Sequence, residues 1–142
     1  DGWNASIVAK RIGKKRSAIK ITLLDQRFVV GVGNIYACEA LHRSGIAPTT
    51  PSNTLVKKNG GPTKRLERLV NEVKSVLNAA IAVGGSTLND FAAVDGTLGY
   101  FGHHFQVYDR EDGPCFKDVC SGTIERIVQS NRSTFLCPRC QK

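Results

Sequence analysis

Apolar residues recur at helical spacing over most of the chain and turn to strand-like patterning only near its end. Leu66, Leu69, Val70, Val73, Val76, Leu77, Ala80 and Ile81 keep a 3.6-residue period, which predicts a long helix over about residues 62–83 with its apolar stripe in the core. Upstream, Asn4 is a good N-cap for a short helix that runs to about residues 10–12 and stops at Gly13. Ser17 is placed to cap a second helix, in which Ile19, Leu23 and Leu24 form the apolar stripe and Lys20 projects from another face. A third helix follows the apolar stretch 28–36, extends to about Ser44 and ends in the order Gly45, Pro48. Residues 48–62, rich in Pro, Thr, Ser, Asn and Gly, read as a surface connection. In 123–135, two runs of β-branched or aromatic residues flank the polar turn Gln129-Ser130-Asn131-Arg132, the pattern of a β-hairpin. The expected fold is mainly α with a small β part, divided near residue 100 into a helical unit (1–100) and a hairpin unit (101–142), without internal repeats.

The cysteines change what that hairpin is for. Cys115, Cys120, Cys137 and Cys140 form a Cys-x4-Cys-x16-Cys-x2-Cys pattern whose two close pairs bracket the hairpin. Strands of that length bring four thiolates to the corners of a tetrahedron, so the pattern predicts one structural Zn²⁺. Two disulfides in a small secreted module are the alternative; the odd fifth cysteine and the absence of a secretory segment in the sequence speak against them. Four thiolates fill the coordination of zinc and leave no place for an activated water, so the metal is expected to hold structure and not to catalyse.

Charge identifies the class of partner. The 142 residues carry a formal net charge of +8, which attracts polyanions through the long-range field. Lys10, Arg11, Lys14, Lys15, Arg16, Lys20 and Arg27 cluster against only Asp25. A charge run can be a solvated helix face, but beside a glycine turn and a zinc hairpin it predicts a phosphate-binding surface. A membrane partner is not expected, because no apolar run is long enough to span a bilayer and no lipidation signal is present. In the turn Gly31-Val32-Gly33-Asn34, the glycines permit close backbone approach and Asn34 can cap the third helix, leaving its first N–H groups for a phosphate oxygen. A dinucleotide fingerprint does not fit, for want of a third glycine and a parallel-strand unit.

Four blocks, in order along the chain, resemble the formamidopyrimidine-DNA glycosylases, also called bacterial 8-oxoguanine DNA glycosylases. KITLLDQRFVVGVGNIY (20–36) resembles that family's helix-two-turns-helix motif, and GGSTLNDF (84–91) the start of its lesion-recognition loop. FQVYDR (105–110) resembles the strand leading into its zinc finger, and RSTFLCPRCQK (132–142) its C-terminus. The resemblance covers essentially the whole chain.

It implies a base-excision repair enzyme that flips an oxidised purine (8-oxoguanine or a formamidopyrimidine) out of double-stranded DNA, cuts its glycosidic bond and nicks the abasic strand by β,δ-elimination. The family's nucleophile is an N-terminal proline, assisted by a glutamate and a lysine of an N-terminal β-sandwich domain. The chain starts Asp1-Gly2-Trp3, so it is expected to be the C-terminal portion and inactive alone. By position, Lys15, Lys20, Gly33, Asn34 and Arg132 correspond to residues of the DNA-binding surface. Arg132 matches the arginine that grips the phosphates around the lesion and is assigned as proton donor for δ-elimination. A guanidinium is a good electrostatic clamp and a poor acid, so the phosphate contact is the firmer expectation. Ser86, Thr87, Leu88, Asn89, Asp90 and Phe91, within a loop of about 84–104, would close over the flipped base. The resemblance further implies a monomer in the bacterial cytoplasm, held at the nucleoid through DNA.

Two positions depart from the family pattern. The first cysteine pair has four intervening residues where Cys-x2-Cys is more common, so that knuckle must bulge, and Asn131 stands where many relatives have glycine. Asparagine tolerates the left-handed conformation, so a similar turn is expected. Cys38 reads as a packed small hydrophobe, and His42, His103 and His104 as structural or loop contacts. Ser86 and Thr87 have no His and acid at suggestive spacing, so a hydrolase triad is not supported. The alternatives are an oxidised-pyrimidine glycosylase of the endonuclease VIII type, a non-enzymatic zinc-ribbon DNA-binding module, and a zinc ribbon for structured RNA; the low aromatic content, 7%, disfavours the last.

Overall fold

A computed structural model of the protein describes residues 3–29, 31–82 and 105–142. The predicted loop 84–104, with Ser86 to Phe91, His103 and His104, lies outside the described residues. The elements run α1 (Ala5–Ile12), α2 (Ile19–Leu24), α3 (Asn34–Ser44), a 3₁₀ turn (Ser52–Leu55), α4 (Lys64–Ala82), β1 (Glu125–Gln129) and β2 (Arg132–Leu136).

α1 begins as expected, with the Asn4 side chain accepting from the Ile7 N–H at 3.0 Å, one of the donors that a helix start leaves without an intrahelical partner. Gly13 closes it with ordinary right-handed geometry. The start of α2 corrects the expectation for Ser17. Its N-cap is Ala18, without a side-chain hydrogen bond, and the Ser17 hydroxyl lies 3.0 Å from Thr22 Oγ1. The first N–H groups of α2 are satisfied instead by the connection after α3, Ile19 N–H donating to the Thr50 carbonyl (2.7 Å) and Lys20 N–H to that of Pro48 (3.3 Å). That connection is therefore more than surface chain: it carries the 3₁₀ turn and buries Ser52 and Leu55. The start of α3 is corrected too. Its N-cap is Gly33, and Asn34 is the first helical residue. Gly45, at φ 74°, ends the helix in the left-handed region, with its N–H on the Leu41 and His42 carbonyls.

α3 is the central element, packed along α4 and touching both α2 and β2. All its residues from Ile35 to Ser44 except Arg43 are buried, because it lies between two apolar clusters. One gathers Val8, Ile12, Ile19, Leu23, Leu41, Leu66, Leu69 and Val73; each such Leu or Ile contributes roughly 1.5–3 kcal/mol over its exposed state. The other gathers Cys38, Val107, Cys115, Ile124, Phe135 and Cys137 under the hairpin. A small unit held partly by cysteines is thus seated on the helix that also forms the main core.

β1 and β2 pair antiparallel with Gln129 opposite Arg132. The two-residue turn between them places Ser130 at φ 49° and Asn131 at φ 65°, the pair of positive values that matches the twist of a tight hairpin. Residues 105–110, expected as a strand, are bends and turns. Their backbone N–H groups find a side chain instead of a partner strand. The Glu39 carboxylate accepts from Gln106 (2.7 Å), Val107 (2.9 Å) and Tyr108 (3.0 Å).

Candidate nucleic-acid interface and metal centre

The four cysteines converge. Sulfurs about 2.3 Å from a tetrahedral zinc ion are about 3.8 Å from one another. Cys115 Sγ and Cys140 Sγ are 3.8 Å apart, Cys120 Sγ and Cys137 Sγ 3.7 Å, and all four sulfurs lie within 4.8 Å of one another. The donor set and its dimensions fit a soft or borderline divalent ion such as zinc. The longer first knuckle is absorbed by a bulge. Val119, at its crest, is fully exposed with φ 56°, while Cys115 N–H reaches the Gly122 carbonyl at 3.0 Å and Cys120 N–H that of Lys117 at 3.1 Å. Gly122 is the close-approach position, since a Cβ there would lie 2.5 Å from Cys137 Sγ.

Burial, and then the neighbouring Cys137, push the Cys140 thiol up to about 12, whereas the Gly122 N–H holds that of Cys120 below its usual value. A divalent cation must displace the thiol protons, so metal uptake is coupled to pH. His42, expected as a structural or loop contact, stands behind this site with Nε2 at 3.4 Å from Cys115 Sγ. Burial first, and then Lys117, Arg110 and Arg43, lower its pKa to about 4, so the ring is neutral at ordinary pH. A neutral ring with its proton on Nε2 donates to the sulfur, as a supporting partner behind a ligand does.

The hairpin is fastened to the helices around its tip. Asn34 Nδ2 donates to the Ser133 carbonyl at 2.9 Å. Lys20 Nζ donates to that carbonyl at 3.2 Å and to Thr134 Oγ1 at 2.5 Å. Lys20 was expected to project; it is 0% exposed, and burial lowers its pKa. Cys38 is buried as expected, its thiol raised by burial and opposed by the Lys20 charge. Farther down, Gln141 Nε2 donates to the Ile46 carbonyl at 3.0 Å and Arg65 to the Lys142 carbonyl.

These bonds hold Ser133, the residue after Arg132, against the first residue of α3. Arg132, Gly33 and Lys15 are exposed, and Asn34 is half-buried. Gly31 requires its glycine, with φ 96°. Gly33 does not: its φ is −92°, and among the described residues a Cβ there would meet nothing within 4 Å. Among the described residues, the space next to Gly33 at the start of α3 is therefore open, and the ladder there begins with Ala37 N–H to the Gly33 carbonyl, 2.9 Å. The basic residues near Lys15 are partly engaged: Arg11 donates to the Arg27 and Phe28 carbonyls, each at 2.8 Å, and Arg27 pairs with Asp25 at 3.1 Å. Among the described residues, no helix is long and apolar enough to cross a membrane.

Sequence reasoning overlooked Glu39, whereas His42 is a structural contact, as expected. Glu39 and His42 lie on α3 with partners far away in the chain, and the sequence offers as signal a charged and a titratable residue among the apolar positions of a helix.

Comparison with known proteins gives the same outline. Residues 1–92 match the "Formamidopyrimidine-DNA glycosylase H2TH domain", and residues 118–142 match the "Zinc finger found in FPG and IleRS". The second match starts after Cys115, at the knuckle that carries the longer spacing. The chain is 49% identical over 142 residues to a formamidopyrimidine-DNA glycosylase of Rhodopseudomonas palustris, covering 100% of this chain and 48% of the relative. It is 53% identical over 141 residues to that of Caulobacter vibrioides, covering 99% and 47%. Among solved structures, the Lactococcus lactis Fpg in complex with abasic-site DNA superposes with a TM-score of 0.81 at 28% identity, over 99% of this chain and 48% of that one. A complex of MutM with DNA containing carbocyclic 8-oxo-G gives the same TM-score at 28% identity, with the same coverage. The chain thus spans about half the length of the relatives it matches. With a helical domain matched over most of its length and a cysteine-clamped hairpin seated on it, the chain belongs to the formamidopyrimidine-DNA glycosylase family.

Proposed function

We propose that this chain is the DNA-gripping half of a bifunctional repair enzyme that removes oxidised purines, including 8-oxoguanine and formamidopyrimidines, and cleaves the abasic strand by β,δ-elimination. The observation that supports the reading is the Asn34 to Ser133 hydrogen bond, 2.9 Å, which ties the first residue of α3 to the residue next to the hairpin arginine. Backbone N–H groups at a helix start and a guanidinium are both phosphate ligands. In this reading the amides around Gly33 and Asn34 hold one phosphate beside the flipped nucleotide, Arg132 holds its neighbours, and Lys15 extends the contact along the strand. Arg132 also serves δ-elimination, its proton relayed through a bound phosphate because free guanidinium is a poor acid.

One Zn²⁺ held by Cys115, Cys120, Cys137 and Cys140 would supply rigidity and no open coordination position. The partner is double-stranded DNA with an oxidised purine or an abasic site, bound by a monomer in the bacterial cytoplasm. Residues 1–142 alone would bind and not cut, because the reading assigns them no Schiff-base nucleophile. Gly33→Ala tests it. The substitution is compatible with the fold, so it should leave secondary structure and zinc content unchanged while weakening binding to abasic-site duplex; retained affinity would remove the α3 N-terminus from the interface. With residues 1–142 alone, borohydride should trap no covalent complex on abasic DNA, and trapping would refute the division of roles.

A further inference from the structure

Lys20 has an ammonium group and no access to solvent. A phosphate ligand needs that access, and the ammonium is used up inside the protein. It donates to the Ser133 carbonyl and to Thr134 Oγ1, and the Thr134 hydroxyl passes its own hydrogen to Gln129 Oε1 at 2.8 Å. Gln129 Nε2 then donates to the Pro48 carbonyl at 3.2 Å. Each group in this chain gives and accepts in one consistent direction, which fixes their orientations together. Its members flank the turn on both sides. Gln129 is the cross-strand partner of Arg132, and Ser133 follows Arg132 in sequence, its carbonyl gripped by both Lys20 and Asn34. The turn carrying Arg132 is therefore held from beneath at residue 129 on one strand and at residue 133 on the other.

We propose that Lys20, with Thr134 and Gln129, positions Arg132 for the DNA backbone and does not itself bind phosphate. The proposal rests on the reading of Arg132 as a phosphate contact, and the experiment separates the two. Binding of the intact protein carrying these residues to abasic-site duplex would be measured against salt concentration for wild type, Lys20→Met, Thr134→Val, Arg132→Ala and the two doubles with Arg132→Ala. Zinc content and melting temperature would confirm that each variant is folded. Thr134 is fully buried and cannot reach DNA, so Thr134→Val perturbs the network gently and serves even if Lys20→Met fails to fold. Loss of one phosphate contact lowers the slope of log affinity against log salt by about 0.9.

Arg132→Ala should show that loss, with affinity reduced roughly ten- to hundredfold. Lys20→Met and Thr134→Val should each reproduce part of it, and neither should add anything in the Arg132→Ala background. Independent, additive losses reaching about 1.8 in slope for the Lys20→Met double would make Lys20 a phosphate ligand and overturn the proposal. Wild-type binding by Thr134→Val and Lys20→Met would overturn it as well. An Arg132→Ala protein with unchanged affinity and slope would instead remove the underlying reading of Arg132.

Discussion

Gly122→Ala should dismantle the metal centre while sparing the helices. Gly122 is threaded among the ligands: its N–H points at Cys120 Sγ, 3.4 Å away, and its carbonyl accepts from Cys115 N–H at 3.0 Å. A Cβ added to this backbone would stand 2.5 Å from Cys137 Sγ, 2.9 Å from Arg139 Cβ and 3.4 Å from Cys120 Sγ. Ordinary contacts between such atoms lie at about 3.5–4.0 Å, so Cys137 or the Gly122 backbone must retreat by roughly 1 Å. Metal–ligand distances tolerate only about 0.2 Å, and neither neighbour is the far end of a flexible side chain. Zinc affinity should fall at least about tenfold, the loss typical of a damaged supporting shell, and toward a hundredfold if the sulfur leaves the ion. Competition against a chromophoric chelator reads that affinity, and far-UV circular dichroism should show the helices of residues 5–82 intact. Zinc affinity within about twofold of wild type would refute the reasoning, because the site would then be soft enough to absorb a displacement that tetrathiolate coordination does not allow.

Glu39→Gln keeps the volume but turns an amide group toward backbone donors that now meet a carboxylate. With charge-assisted bonds worth about 1.5–3 kcal/mol each, stability should drop by about 2–4 kcal/mol in denaturant unfolding with zinc held constant; a loss under about 0.5 kcal/mol would make the clamp incidental. Asn131→Gly should be neutral or slightly stabilising, and Asn131→Val should cost about 1–2 kcal/mol, since a β-branched residue resists the positive φ of 65°. Equal stabilities would argue that the turn relaxes to another type. Zinc binding should weaken as pH falls from about 8 to about 6, because the Cys115 and Cys140 thiols, both raised by burial, must lose their protons before they ligate, and proton release on zinc addition checks it. A pH-independent affinity would mean that the Cys115 and Cys140 thiols are already ionised.

Local signals in the sequence were sufficient wherever the partner of a group is close in the chain. The Asn4 cap, the Gly45 stop, the apolar stripe of α4 and the Ser130-Asn131 turn are all of this kind, and the cysteine quartet is readable because metal geometry constrains spacing. The misreadings share a different cause. Ser17 and Asn34 look like caps, but the donors of α2 are met by carbonyls of residues 48 and 50, and the Asn34 amide reaches a strand 99 residues away. A lysine on a short helix reads as solvated until a hairpin brings acceptors to it. Residues 105–110 carry strand-like residues, yet their N–H groups are taken by Glu39, a contact that no period or propensity encodes.

In the proposed function, the cysteine-held metal keeps Arg132 on the surface shared with the α3 N-terminus, and everything else depends on that placement. Affinity for an abasic-site duplex, measured before zinc chelation, after it and after zinc is restored, tests this most directly. Chelation should lower the affinity to about that of Arg132→Ala, a roughly ten- to hundredfold loss, and zinc should restore it. Undiminished affinity in a protein shown to be free of metal would contradict the placement.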